Sequence, residues 1–286
     1  MTRSYDSLPW FPTSVCAAPS LSLAHDALPG YAASLLMLVL VASLGGLFAM
    51  TVRNMRDIDP EIMRAAVETA IVSRRSVRGF LPTPVGREMV ERLLEVASRA
   101  PSGSNMQPWK VHVLSGPALE RVKAELIGLH ESGAPEAREY DYYPRDWRAP
   151  YLDRRRALGW NLFALAGVAR GDREGSARQR GRNYAFFGAP VGMIFTIDRD
   201  LGQGSWLDFG TFLQNIMIAA RGHGLDTCPQ AALANYPAVL RRQLGIPDTE
   251  LVLCGMALGV ADPDEPTNRL AAEREPVAAF TRFHDR

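Results

Sequence analysis

The hydrophobic pattern of the chain predicts an α+β fold, an α/β sandwich with helices packed on a sheet, and three stretches carry that expectation. Val191 to Ile197 and Leu251 to Val260 are apolar, β-prone runs of the kind found in central strands covered on both faces. Leu207 to Ala220 instead spaces Phe209, Phe212, Leu213, Ile216, Met217 and Ile218 as a buried helix does, with Asp208 and Gln214 as its polar exceptions. Strand and helix patterns mixed along one chain exclude a helical bundle.

The remaining elements follow in chain order. Residues 1–30 contain Pro9, Pro12, Pro19 and Pro29 and show no sustained periodicity, so a poorly structured tail is expected. No charged residue occurs from Gly30 to Val52. That length suits the roughly 20 apolar residues of a membrane-spanning helix. Arg53 and Arg56 follow at once, which by the positive-inside rule would leave the rest of the chain cytoplasmic. Two readings of residues 1–54 stay open: an extension with a transmembrane anchor at about 31–52, or a start assigned too far upstream, with the true one at Met50 or Met55. Residues 55–286 form the folded domain in either case.

Asp59-Pro60-Glu61 reads as a helix start, and Ile62, Ala66, Val67, Ala70 and Ile71 recur at helical spacing after it. A second helix is expected from Thr83-Pro84 onwards, with Met89, Val90, Leu93, Leu94 and Ala97 as its apolar stripe. Val111 to Leu114 reads as a strand, 118–130 as a helix, Leu158 to Ala169 as a helix, and polar Asp172 to Gln179 as a turn. Gly224 to Gln230 reads as a strand or loop and 237–244 as a helix. The tail from Pro263 is too polar for a core element.

Composition removes several classes of function. A formal net charge of +1 gives no support for general binding to nucleic acid or to an anionic membrane surface. The three cysteines, Cys16, Cys228 and Cys254, form no CxxC pair and have no histidine cluster nearby, which argues against structural zinc and a disulfide framework. Cys228 and Cys254 lie in apolar runs and read as small buried side chains. No GxGxxG segment, hydrolase triad or paired carboxylates are readable, so no side chain is named as catalytic and no metal ligand is assigned.

Two polar segments stand out. In Arg74-Arg75-Ser76-Val77-Arg78 three guanidinium forks surround a hydroxyl, a donor set suited to phosphate oxygens, although three close arginines can also be a solvated face. Ala100-Pro101-Ser102-Gly103-Ser104-Asn105-Met106-Gln107-Pro108-Trp109 offers Ser102, Ser104, Asn105 and Gln107 to the polar edges of a heterocycle and its hydroxylated chain. Its Pro-Ser-Gly and Gln-Pro steps also suit a plain structural turn. Between 133 and 153, Tyr140, Tyr142, Tyr143, Trp147 and Tyr151 cluster with Arg145 and Arg148. That insertion either packs on the core or on a partner subunit, or roofs an aromatic ligand while one of its arginines meets a carboxylate.

These two segments, with Phe187 to Gly192, Gly204 to Asp208, Gly224 to Gln230, Cys254 to Gly259, Asn268 and Arg274, resemble the nitroreductase family over about residues 60–284. Within it they are most similar to the branch that reduces nitrobenzoates. The resemblance implies a mixed, mainly antiparallel central sheet flanked by helices, an extended C-terminal arm, and a homodimer with FMN at the interface. It implies that Arg74, Arg75, Ser76, Arg78 and Arg274 hold the FMN phosphate, with Arg269 as the runner-up to Arg274. Ser102, Ser104, Asn105 and Gln107 then hold the ribityl chain and ring, with Pro229, Gln230 and Gly255 beside it. NADH or NADPH would donate electrons and a nitroaromatic would accept them. The other readings are a flavin reductase acting on quinones, enones or halogenated phenols, and an anionic-nucleotide binder without turnover.

Overall fold

The computed structural model describes residues 58–285. The expected apolar segment at 31–52 lies outside them, and among the described residues no helix is long and apolar enough to cross a membrane. The compact unit begins at Glu61.

Its centre is a four-stranded sheet of β1 (Lys110–Ser115), β2 (Val191–Asp198), β3 (Asp226–Gln230) and β4 (Glu250–Gly259), in the order β1-β2-β4-β3. All three pairings are antiparallel. The parallel component is a single isolated bridge between Ser76 and Thr227. β2 and β4 are apolar throughout because both of their faces are covered. Val191, Met193, Phe195 and Ile197 alternate onto one face and pack with helices α2 (Arg87–Ala97) and α6 (Gln203–Gly222). Ile194 faces the opposite cluster, where α3 (Gly116–Glu131) and α7 (Pro237–Leu244) supply Leu119, Val122, Leu126, Val239 and Leu240. Gly192 must lack a side chain there, since a Cβ would lie 2.5 Å from the Phe186 ring.

Several expectations are corrected. α2 starts at Arg87, not at Thr83-Pro84, because the Gly86 carbonyl accepts from Met89 and Val90 and begins the ladder there. The helix expected from Leu158 starts earlier and is α4 (Tyr151–Leu165). Asp172 to Gln179 is not a turn. It belongs to a helix, α5 (Arg173–Gly181), whose N-terminus is capped by Asp172 accepting from Gly175 N–H at 2.8 Å. An apolar stripe was absent because i,i+4 pairing of Glu174 with Arg178 and the cap stand in for core burial. The tail is also more integrated than its polarity suggested, since Thr267 and Leu270 are buried. A last short helix, α8 (Val277–Phe280), is exposed.

Helix α1 (Pro60–Ser73) begins where its Asp-Pro signal places it, yet it buries no side chain. Ile62, Val67, Ile71 and Val72 all face solvent, Val72 at 84% exposure. Among the described residues its periodic stripe therefore does not belong to the core.

Candidate active site

The chain leaves α1 at Ser73 and runs extended through Arg74 to Gly79. Val77 donates its N–H to the Thr227 carbonyl at 3.0 Å and buries its side chain, which fixes this segment against β3. Arg74, Arg75, Ser76 and Arg78 then line a cavity of about 630 Å³ together with Arg274 from the opposite end of the chain. No carboxylate lines it. Among the described residues none of these four arginines has an ion pair: the guanidinium groups of Arg75, Arg78 and Arg274 donate only to backbone carbonyls. Burial, and after it the neighbouring Arg274 cation, holds the Arg74 guanidinium below its ordinary pKa. Cations gathered in this way lower their mutual repulsion when an anion joins them. Arg269 is exposed and does not line the cavity.

A second cavity, of about 370 Å³, has four aromatic side chains in its lining. Tyr140, Tyr142, Trp206, Phe209 and Leu213 form its walls, with Pro229 and Gln230 at the end of β3. The 133–153 segment reaches it through Tyr140, whose hydroxyl donates to the Leu253 carbonyl and whose ring meets Trp206 edge-on at 4.9 Å. Gln230 is 2% exposed and donates its amide to the Asn183 carbonyl at 2.7 Å. Its Oε1 is the one buried side-chain polar atom without a hydrogen-bond partner among the described residues. Such an atom is costly unless something donates to it.

Gly255 pairs across the sheet with Gln230 but lines neither cavity. A Cβ there would lie 2.1 Å from Leu233 Cδ1 and 2.9 Å from the Met193 carbonyl oxygen, so close packing requires the glycine. Arg145 and Arg148 do not line the aromatic cavity either. Arg145 pairs with Asp141 at 3.0 Å, and Arg148 lies over the Tyr151 ring at 5.3 Å. Asp141 itself is in the lining, so the expected arginine facing a substrate carboxylate is not what this cavity presents. Cys228 and Cys254 are buried thiols pushed up by that burial to about 11 and about 12, which removes them as nucleophiles.

Ser102, Ser104, Asn105 and Gln107 line neither cavity of the single chain. Their loop is nevertheless built to one shape. Ser104, Asn105 and Gln107 have φ of 51°, 57° and 50°, in the left-handed region that non-glycine residues avoid. The Gly103 N–H donates to Asp208 Oδ2 at 2.9 Å and the Gln107 N–H to Ser102 Oγ at 3.0 Å, which holds that conformation. Asp208 is thus a satisfied structural carboxylate. Trp109 anchors the far end by stacking on Phe212 at 4.8 Å. The loop presents Ser104, Asn105 and Gln107 outward to solvent.

Three polar residues beside the arginine cavity were not singled out as ligand residues by sequence reasoning. Asn268 and Arg182 hydrogen-bond to the backbone of the arginine segment, and Glu265 pairs with Arg182. Only the end of the family resemblance at Asn268 marked any of them.

A helix-covered antiparallel sheet thus carries a cationic cavity, a separate one with aromatic walls, and a strained polar loop. The chain belongs to the Nitroreductase family, whose family model matches residues 71–260. It is 41% identical over 216 residues to a 4-nitrobenzoate reductase of Pseudomonas putida, covering 76% of this chain and 94% of that relative. A chloronitrobenzene nitroreductase of Comamonas testosteroni is 43% identical over 219 residues, covering 76% and 96%. Among solved structures, the FMN-dependent nitroreductase NfnB of Mycobacterium smegmatis in complex with NADPH superposes with a TM-score of 0.74 at 31% identity, covering 77% of this chain and 99% of that one.

Proposed function

We propose that the chain is an FMN-dependent NAD(P)H nitroreductase whose phosphate end is the four-arginine cavity and whose ring end is the Pro229-Gln230 side of the aromatic cavity. The observation that carries this reading is the gathering of Arg74, Arg75, Arg78 and Arg274 from the two ends of the folded region into one cavity without a carboxylate. A phosphomonoester fits that donor set, since guanidinium forks and the Ser76 hydroxyl match its oxygens and its charge relieves their repulsion. The unpartnered Gln230 Oε1 fits an N–H at the edge of a heterocycle.

When bound, FMN would supply two-electron chemistry between a reduced nicotinamide and a nitro group, through the nitroso compound to the hydroxylamine. The protein's own part is binding and orientation. Arg74, Arg75, Ser76, Arg78 and Arg274 hold the anion, Gln230 orients the ring edge, and Tyr140, Tyr142 and Trp206 exclude water around an aromatic acceptor. Gly255 contributes by letting β4 pack closely behind Gln230.

The finer reading is a homodimer. Ser102, Ser104, Asn105 and Gln107 would then serve the flavin of the second copy. Exposed Ile62, Val67, Ile71 and Val72 on α1, with Val277, Phe280 and Phe283 near the C-terminus, would supply the apolar contact. Relatives named for nitrobenzoate and chloronitrobenzene make a substituted nitrobenzene the acceptor class.

The test is purification without added flavin, followed by an absorbance spectrum, light scattering for mass, and turnover with NADH and NADPH against 4-nitrobenzoate and chloronitrobenzene. A yellow dimer that consumes nicotinamide in proportion to nitroarene is expected. A colourless protein that takes up no FMN would remove the reading.

A further inference from the structure

Resting on the reading of the arginine cavity as a phosphate site, we propose that Arg182, Glu265 and Asn268 form a clasp that positions the phosphate-binding arginines without touching the phosphate. The clasp takes hold of one short piece of backbone. Asn268 Oδ1 accepts from the Arg78 N–H at 2.6 Å, and its Nδ2 donates to the Gly79 carbonyl at 2.8 Å and to the Asp262 carbonyl at 2.9 Å. The Asn268 carbonyl accepts from Arg75 Nη1 at 3.2 Å. Arg182, just past the end of α5, donates to the Arg78 carbonyl at 2.7 Å.

The same guanidinium forks onto Glu265, at 2.7 and 3.2 Å, and Glu265 also accepts from the Thr267 hydroxyl at 2.7 Å. The Arg78 N–H and the Arg78 and Gly79 carbonyls are thereby held by the side chains of Arg182, just past α5, and Asn268. Glu265 comes so near that a Cβ on Gly79 would lie 2.3 Å from its Cγ, which explains the glycine after Arg78. Two arginines on a free loop would lose rotamer and backbone freedom on meeting a phosphate, and a segment held in advance has already lost it.

None of the three side chains lines the cavity. They act through Arg75 and Arg78, so they are positioning residues. Their loss must weaken recognition of the phosphate more than recognition of the rest of the flavin, which a merely structural role would not do.

The full-chain protein loaded with FMN or with riboflavin is diluted, and release is followed by free-flavin fluorescence. The wild type is expected to hold FMN more tightly than riboflavin. Asn268→Ala is expected to cut that preference about tenfold, the size of one charge-assisted hydrogen bond, with riboflavin release within about twofold of wild type. Arg182→Lys keeps the charge and lacks the fork, and is expected to cut the preference in the same direction; it carries the test if Asn268→Ala does not fold. A wild type without preference for FMN overturns the phosphate reading and the clasp with it. A wild-type preference that both variants keep, or an equal loss of both flavins, overturns the clasp alone.

Discussion

The two cavities are built by opposite means. The aromatic one is a by-product of core packing: Phe209 belongs to its wall and also to the cluster between α6 and the sheet, where it meets Phe195 and Phe212 edge-on at 6.0 Å each. The arginine cavity sets its guanidinium groups beside Ile71, Val72, Leu158 and Leu270, and its shape depends on hydrogen bonds between residues as far apart in sequence as Arg78 and Asn268. Hydrophobic packing is non-directional and survives small errors, whereas a set of cations must be aimed. The aromatic cavity should therefore fail by unfolding and the arginine cavity by losing affinity for an anion.

The largest effect that would sharpen this contrast comes from Phe209→Ala. A cavity in the core should cost about 3–5 kcal/mol of stability, read by denaturant unfolding. The same variant should keep the ratio of FMN to riboflavin affinity, and a change in that ratio would merge the two regions into one.

Glu265→Gln comes next. Burial alone would raise the Glu265 carboxyl, but hydrogen bonds from Arg182 and Thr267 and the Arg182 charge outweigh it and bring it to about 2. A depressed carboxyl contributes stability that is fully present above its ordinary value near 4.5 and is lost as pH falls through about 2. The wild type should lose on the order of 2–3 kcal/mol across that window, and the glutamine variant should lose correspondingly less. Matching acid-unfolding curves for the two proteins would contradict this.

Arg75→Ala should weaken FMN binding by about 1.5–3 kcal/mol, more at low salt than at high, with little change in thermal stability. An affinity unchanged in fluorescence titration would remove Arg75 from the phosphate set. The smallest effect is expected from Arg145→Ala. Its partner Asp141 is exposed and Arg145 itself does not line the aromatic cavity, so stability should move by less than about 0.5 kcal/mol. A large rise in KM for 4-nitrobenzoate alone would restore Arg145 as the carboxylate reader.

Elements whose burial follows a local period were legible in advance. β2, β4, α6 and α7 stand within a few residues of where the apolar spacing placed them. α5 was not legible because its stability comes from the Asp172 cap and a surface ion pair, neither of which leaves an apolar stripe. The apolar period of α1 predicted a helix correctly and said nothing of its surroundings, since a stripe says that something will cover it and not which molecule does.

The residues of the site divide in the same way. The sequence by itself showed three guanidinium groups around a hydroxyl in Arg74 to Arg78, a polar loop at 101–107, and the resemblance that the family model bears out. Only the tertiary structure decided that Arg274 and not Arg269 shares a cavity with those arginines, that Gln230 keeps an unpartnered acceptor, and that Arg182 and Asn268, with Glu265 pairing Arg182, hold the segment's backbone. Periodicity and motif chemistry are written in neighbouring residues. A hydrogen bond across 190 positions exists only once the packed sheet has brought both ends of the chain to the same place.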